Sequence, residues 1–347
     1  MMTTTVSHLP YAHASTRHGQ GACVRTLLVA ITMTLSCNLK AQDIHFSQID
    51  VIPVLYNPAY TGFFDGNGRF SVCYRNQWSS VSKAFQTVAA TAEYVLKRRR
   101  YYHDGFSMGL ILFSDRAGTL HYGTTSGSLI LSYFKGFGKS NDNIVSIAAE
   151  AGLGQAGFNT TDIELNDPTE SFETLNANFM TLGTGIAWFY QPNDNYSMKI
   201  GISGRNLNRP DISYLDSRDS YIERKYNCLV RAEIKTWSDI SLLPLATCMI
   251  QNNYKEITLG CSAKWYISES SDGQFCMSGG LYYRMLDAAM AEFTVEYNAL
   301  LFALTYDANI SKLTPASHSI GAFELALSYR LSKKRNVRRR ALPCPII

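Results

Sequence analysis

Between residues 69 and 331 the chain breaks repeatedly into segments of about ten residues in which apolar and polar side chains alternate, separated by Gly, Asn, Asp and Ser clusters. Side chains two residues apart share a face only in a strand, so a period of two demands a sheet. The segment 254–266 is the clearest. Ile257, Leu259, Cys261, Ala263 and Trp265 fall on one face, and Glu256, Thr258, Gly260, Ser262 and Lys264 on the other. The same sorting places Phe293, Val295 and Tyr297 opposite Glu292, Thr294, Glu296 and Asn298, and Phe323, Leu325, Leu327, Tyr329 and Leu331 opposite Glu324, Ser328 and Arg330. Further segments run over 69–78, 85–96, 104–114, 122–134, 143–153, 178–190, 195–206, 223–236, 240–250, 274–285 and 300–308, giving about fourteen strands in all.

Alternation alone does not say which face meets lipid. A strand of about 11 residues rises roughly 36 Å and, tilted by about 40°, spans roughly 28 Å, the height of an outer-membrane apolar band. Aromatic residues sit near segment ends, at Trp78, Tyr133-Phe134, Trp188-Phe189-Tyr190, Trp237 and Trp265-Tyr266, as interface girdles require. The longest connections, 154–177, 207–222 and 309–317, all fall on one side of an up-and-down barrel with periplasmic termini. The expected fold is all-β: a closed transmembrane outer-membrane β-barrel of about fourteen antiparallel strands with a polar lumen, closed because lipid leaves no partner for an unpaired strand edge. Glu150, Arg205, Arg231, Glu233, Lys235, Glu256, Lys264, Arg284, Glu292, Glu296, Glu324 and Arg330 are then expected to face the lumen. In the competing water-soluble barrel the same charges would face outward to solvent.

Composition agrees. Tyr 21, Phe 17 and Gly 24 accompany charged residues at only 17%, below the usual level of about 25%. Six positive residues, Lys333, Lys334, Arg335, Arg338, Arg339 and Arg340, lie in the tail. Removing them from the formal +4 leaves a net −2, so the body carries no basic nucleic-acid-binding face.

The leader sets the compartment. Residues 25–41 read as a secretory signal: a positive charge, an apolar core from Leu27 to Leu35, and small or polar residues before a cut after Ala41. Residues 1–41 are thus expected to be a signal peptide with an extended n-region, 42–68 a periplasmic lead-in, 69–331 the barrel and 332–347 a basic periplasmic tail. Of eight cysteines, Cys23 and Cys37 go with the leader. Cys73, Cys228, Cys248, Cys261, Cys276 and Cys344 show no metal-ligand spacing and read as packing residues.

No catalytic, cofactor or metal motif stands out. His45, His103, His121 and His318 have no paired spacing. The GxGxxG string at 152–157 lies at a predicted strand end without a βαβ context, so its glycines suit a tight barrel strand better than a phosphate cradle. The loop 154–177 carries Asp162, Glu164, Asp167, Glu170 and Glu173 without a Lys or Arg. Such a run is ordinarily a solvated surface, with calcium binding or partner contact as the alternatives.

The densest set of fixed-looking features lies in 45–78: His45, Phe46, Ser47 and Gln48, then Asn57, Pro58, Ala59 and Gly62, then Tyr74, Arg75, Asn76, Gln77 and Trp78. With Phe85-Gln86-Thr87, the GAFEL and SYR strings near the end and a basic tail closing on Cys344-Pro345, this pattern resembles the PorP/SprF family of type IX secretion outer-membrane proteins of Bacteroidetes. The resemblance implies a non-enzymatic, exported barrel in the Gram-negative outer membrane, in contact with its lipid. It also implies support for export or surface attachment of secreted proteins that carry a type IX C-terminal signal, including adhesins of gliding bacteria. The basic tail would dock on periplasmic type IX components. A general porin-like channel is the competing reading. The lead-in, apolar at 51–56 and 63–64, is expected to fold against the periplasmic mouth or interior of the barrel, held by the Asn57-Pro58 turn.

Overall fold

The computed structural model describes residues 46–77, 85–99, 104–117, 122–138, 142–158, 176–213, 220–237, 239–270, 273–310 and 320–331. Fourteen strands follow one another: β1 (Gly68–Gln77), β2 (Phe85–Arg99), β3 (Asp104–Ala117), β4 (Tyr122–Phe137), β5 (Asn143–Gly157), β6 (Asn176–Asn193), β7 (Tyr196–Arg205), β8 (Lys225–Trp237), β9 (Ile240–Gln251), β10 (Tyr254–Ser270), β11 (Gly273–Arg284), β12 (Ala288–Tyr297), β13 (Leu300–Asn309) and β14 (Ile320–Leu331). Each pairs antiparallel with its neighbours in sequence, and β14 returns to β1, closing the barrel.

The closing register sets Gly68 opposite Leu331 and Arg75 opposite Glu324. Tight hairpins are turned where a left-handed residue suits the strand twist, at Asn252 between β9 and β10 and at Asn298 between β12 and β13. The side chains sort as the alternation requires. Leu129, Leu131, Leu153, Leu259, Trp265, Leu281, Phe302 and Leu327 stand on the outside, Leu281 at 73% exposure. On the inside are buried polar groups, among them Arg69, Arg75, Glu93, Lys199, Arg231, Lys264, Arg284, Asp307 and Glu324. An apolar outer face around buried charges is the inverse of a water-soluble barrel, and it suits hydrocarbon.

Strand boundaries differ from the sequence expectation by up to four residues, among others at β5, β6 and β10. β5 and β6 continue beyond the expected 153 and 178, with Gly157 paired to Asn176. The glycine-rich run 152–157 is therefore the last stretch of β5, at the strand end as expected, and it is paired throughout. Alternation fades there because glycine has no side chain to report it. The space is used from the other side: a Cβ on Gly152 would overlap Ser128 Oγ, and one on Gly154 would overlap the Phe179 ring. β12 likewise starts at Ala288 instead of 292, where Ala288, Ala289 and Ala291 give little contrast between faces.

Residues 46–66 do not join the sheet. They carry two short 3-10 turns, Pro53–Leu55 and Pro58–Tyr60. Val54, Ala59, Tyr60, Phe63 and Phe64 form one apolar cluster with Ile111, Ile130, Phe134, Ile144, Phe189, Leu229, Leu245 and Met290, inward residues of strands around most of the wall. Only a segment lying inside the barrel meets all of them.

Candidate functional site: the segment that fills the barrel

The interior segment is held at three levels, each built from residue types whose chemistry fixes the contact. At one end Ser47 and Gln48 point their backbone N–H groups at the Glu324 carboxylate, at 2.8–2.9 Å for Ser47 and 3.1 Å for Gln48. Ser47 Oγ donates to Asp307 at 3.0 Å, and Gln48 Nε2 donates to Thr305 Oγ1 at 2.6 Å. Two guanidinium groups complete the cluster. Arg75 pairs with Glu324 and, at 3.2 Å, with Asp307; Arg284 reaches Asp307 at 3.4 Å, Glu256 at 3.5 Å and Ser47 Oγ at 3.0 Å. Charges taken from water are costly unless paired and hydrogen-bonded, and this cluster provides both.

At the middle level Asp50 pairs with Arg231 and, at 3.4 Å, with Lys199. Burial alone would push its carboxyl up, but the Arg231 and Lys199 charges outweigh that and hold it below the usual carboxylate range. Backbone carbonyls of the segment are also matched by the wall: Arg205 Nη2 donates to Val54 O at 2.8 Å, while Ser203 Oγ and Asn227 Nδ2 donate to Tyr56 O at 2.6 and 3.0 Å. A segment lacking strand partners thus has its polar backbone satisfied by side chains.

The Asn57-Pro58 turn follows. Asn57 caps the second 3-10 turn by accepting from Ala59 N at 2.8 Å, and its Nδ2 donates to Ile186 O at 3.0 Å and Ile202 O at 3.3 Å, across the β6–β7 seam. The wall is notched to admit it. A Cβ on Gly185 or Gly201 would overlap the Asn57 amide.

At the far level Gly62 adopts φ +86, and a Cβ there would overlap Ser107 Oγ. Its N–H donates to Glu93 at 3.1 Å, and Glu93 pairs with Arg69 at 2.8 Å. Phe63 stacks on Phe189 with centroids 3.7 Å apart, and Arg69 lies over the Phe64 ring at 4.9 Å. Arg75 is near the end of β1 and Arg69 near its start. The interior segment therefore runs the length of the lumen, with Ser47 at the end away from the β1 start and Phe64 beside it. What remains of the lumen includes a cavity of about 110 Å³ between Phe46, Tyr56, Phe179, Glu150, Arg205 and Asn227, and another of about 30 Å³ beside Asp50 and Glu292.

The expected site residues divide cleanly. Phe46, Ser47, Gln48, Asn57, Pro58, Ala59, Gly62 and Arg75 come together as the filling segment and its latch. Gln77 accepts from Arg75 at 3.4 Å, while Tyr74 and Asn76 lie on the alternate face of β1, joined at 3.2 Å. His45, Trp78 and the tail residues Lys333, Lys334, Arg335, Arg338, Arg339 and Arg340 lie outside the described residues, as do the leader and the acidic loop residues 162–173. The structure adds Asp50, Arg69, Glu93, Lys199 and Asp307, which sequence reasoning passed over. Lys199 was recoverable from its parity with Ser197, Ser203 and Arg205. Among the described residues no three His, Cys, Asp or Glu side chains come together to hold a metal ion.

A family model described as "Type IX secretion system membrane protein PorP/SprF" matches residues 38–329. No curated protein matches the chain. Among solved structures, the Ralstonia pickettii toluene transporter TbuX is similar over 81% of this chain and 94% of its own, at 10% identity and TM-score 0.45. The CymD monoaromatic hydrocarbon channel matches over 82% of this chain and 94% of its own, at 9% identity and TM-score 0.46. The KdgM porin matches over 75% of this chain and 99% of its own, at 9% identity and TM-score 0.36.

Proposed function

The chain belongs to the type IX secretion system membrane protein PorP/SprF family, and on that premise we propose that it works as a plugged outer-membrane barrel supporting the export or cell-surface attachment of secreted proteins such as adhesins. The observation that carries this reading is the filled lumen. The segment 46–66 occupies the interior along its length and is tied to the wall by buried ion pairs and hydrogen bonds. A barrel built this way is suited to offering surfaces to other proteins, not to passing solutes, which speaks against a general porin-like channel.

In this reading the chain ends of the barrel face the periplasm, where the basic tail of Lys333, Lys334, Arg335, Arg338, Arg339 and Arg340 meets periplasmic type IX components. The longest connections face outward, where a secreted protein with a type IX C-terminal signal is held. The family-pattern residues Phe46 to Gln48 and Asn57 to Gly62 then serve structure first, setting the plug. The barrel performs no catalysis of its own. Deleting the gene and comparing surface proteomes tests the proposal: loss of at least one exported surface protein is expected, and an unchanged surface proteome would refute it.

A further inference from the structure

β6 is 18 residues long, whereas its partner β7 has 10. Their pairing stops at Thr184–Gly204, because the chain leaves β7 through the left-handed residues Asn206 and Arg209 before Pro210. The departing turn still serves a little more of the β6 edge. Leu207 N donates to Leu182 O at 2.9 Å, and the Asn208 side-chain amide bonds Leu182 N and Met180 O at 3.0 and 2.6 Å. These contacts fix the direction of the backbone: even-numbered residues of β6 aim their N–H and C=O groups toward the β7 side. Beyond Met180 no described residue hydrogen-bonds to that side. The N–H of Met180 and both backbone groups of Asn178 and Asn176 form an open edge about 13 Å long. β5 pairs the other edge of the same residues throughout.

An open edge specifies its own ligand, since only an extended backbone supplies alternating donors and acceptors at this spacing. The lining is mixed as a strand would need: Asn178 and Met180 are exposed on the outer face, with Ala177 and Phe179 buried on the inner. This edge is at the barrel end away from the β1 start, beside the turn of residues 206–209. We propose that residues 176–180 of β6 take an extended segment of the exported partner as an added β-strand. The inference rests on the functional reading above, which places an exported protein at this end.

The test uses the full chain in its outer membrane and takes as probe the exported protein lost from the surface when the gene is deleted. Asn178→Pro removes a backbone N–H aimed at the open edge and none paired with β5, so an edge position tolerates it. Asn178→Ala keeps that N–H. At equal barrel abundance and heat-modifiable mobility, N178P is expected to lower surface retention of the probe at least tenfold and N178A to leave it unchanged. Amide exchange of the wild-type barrel with and without the purified probe gives a measurement independent of any variant: the Asn176, Asn178 and Met180 amides are expected to gain protection only with probe. Full retention by N178P, or no gain in protection, overturns the inference while leaving the functional reading standing. No protein lost on gene deletion overturns both. Protection that rises with barrel concentration alone would assign the edge to a second copy of this chain.

Discussion

Arg75 and Glu324 stand opposite each other in the register that joins β1 to β14, and the same carboxylate accepts the backbone N–H groups of Ser47 and Gln48. The seam that closes the barrel and the latch that holds its plug are thus one cluster. Closure and filling are coupled, because the buried Glu324 charge needs both partners.

Removing one member of this pair leaves the other buried and uncompensated. Arg75→Met and Glu324→Ala are each expected to cost about 3–5 kcal/mol, read from urea unfolding of the barrel in lipid vesicles. The double variant R75M/E324A should lose much less than the two single losses summed. Single variants within about 0.5 kcal/mol of wild type, the range of ordinary surface changes, would show that the pair does not bear on the fold.

Gly62 is restricted twice, by its backbone angle and by Ser107. Gly62→Ala is expected to destabilise by about 1–3 kcal/mol from the left-handed backbone alone, with the overlap adding to it. Pairing it with Ser107→Gly should recover only the overlap part. Complete recovery in the unfolding midpoint would mean that the backbone angle carries no cost.

The filled lumen makes a statement about conductance. In planar bilayers the purified wild-type barrel is expected to show no steady single-channel current, whereas a form lacking residues 46–66 should conduct, since a barrel of this strand number has an aqueous interior when empty. A large, steady wild-type current would contradict the plug as a seal.

Asp50 gives the plug a dependence on acid. Its folded pKa lies below the ordinary 3.8, net of a burial effect that opposes the Arg231 and Lys199 charges. A group depressed in the folded state contributes stability that is present above its unfolded pKa and lost as pH falls through the folded one. Unfolding midpoints measured at pH 6 and below pH 4 should therefore drop less in Asp50→Asn than in wild type. An equal drop in both would assign the acid sensitivity to other carboxylates.

The barrel was legible because a strand reports its own geometry: Ile257, Leu259 and Trp265 against Glu256, Thr258 and Lys264 mark both the period and the two faces. Legibility failed where side chains were absent or alike. Gly152, Gly154 and Gly157 hid the end of β5, and Ala288, Ala289 and Ala291 hid the start of β12. Of the site, the sequence picked out Ser47, Gln48, Asn57 and Gly62 as a pattern but not their partners. Nothing local in Asp307, Lys199 or Glu93 says which of the inward charges on fourteen strands it will meet.

The sequence by itself determined the antiparallel strand series, the apolar outside and the polar inside, because each follows from contacts between residues close along the chain or from a single alternation, and closure followed because lipid leaves no partner for an open edge. Tertiary structure alone decided that the lead-in fills the lumen instead of capping it, that Glu324 holds Ser47 across 277 residues, and that among the described residues the β6 edge has no strand partner beyond Thr184. Those outcomes depend on which inward side chains barrel closure brings to the same height. That height is set by strand register accumulated around the whole wall, which no stretch of sequence carries on its own.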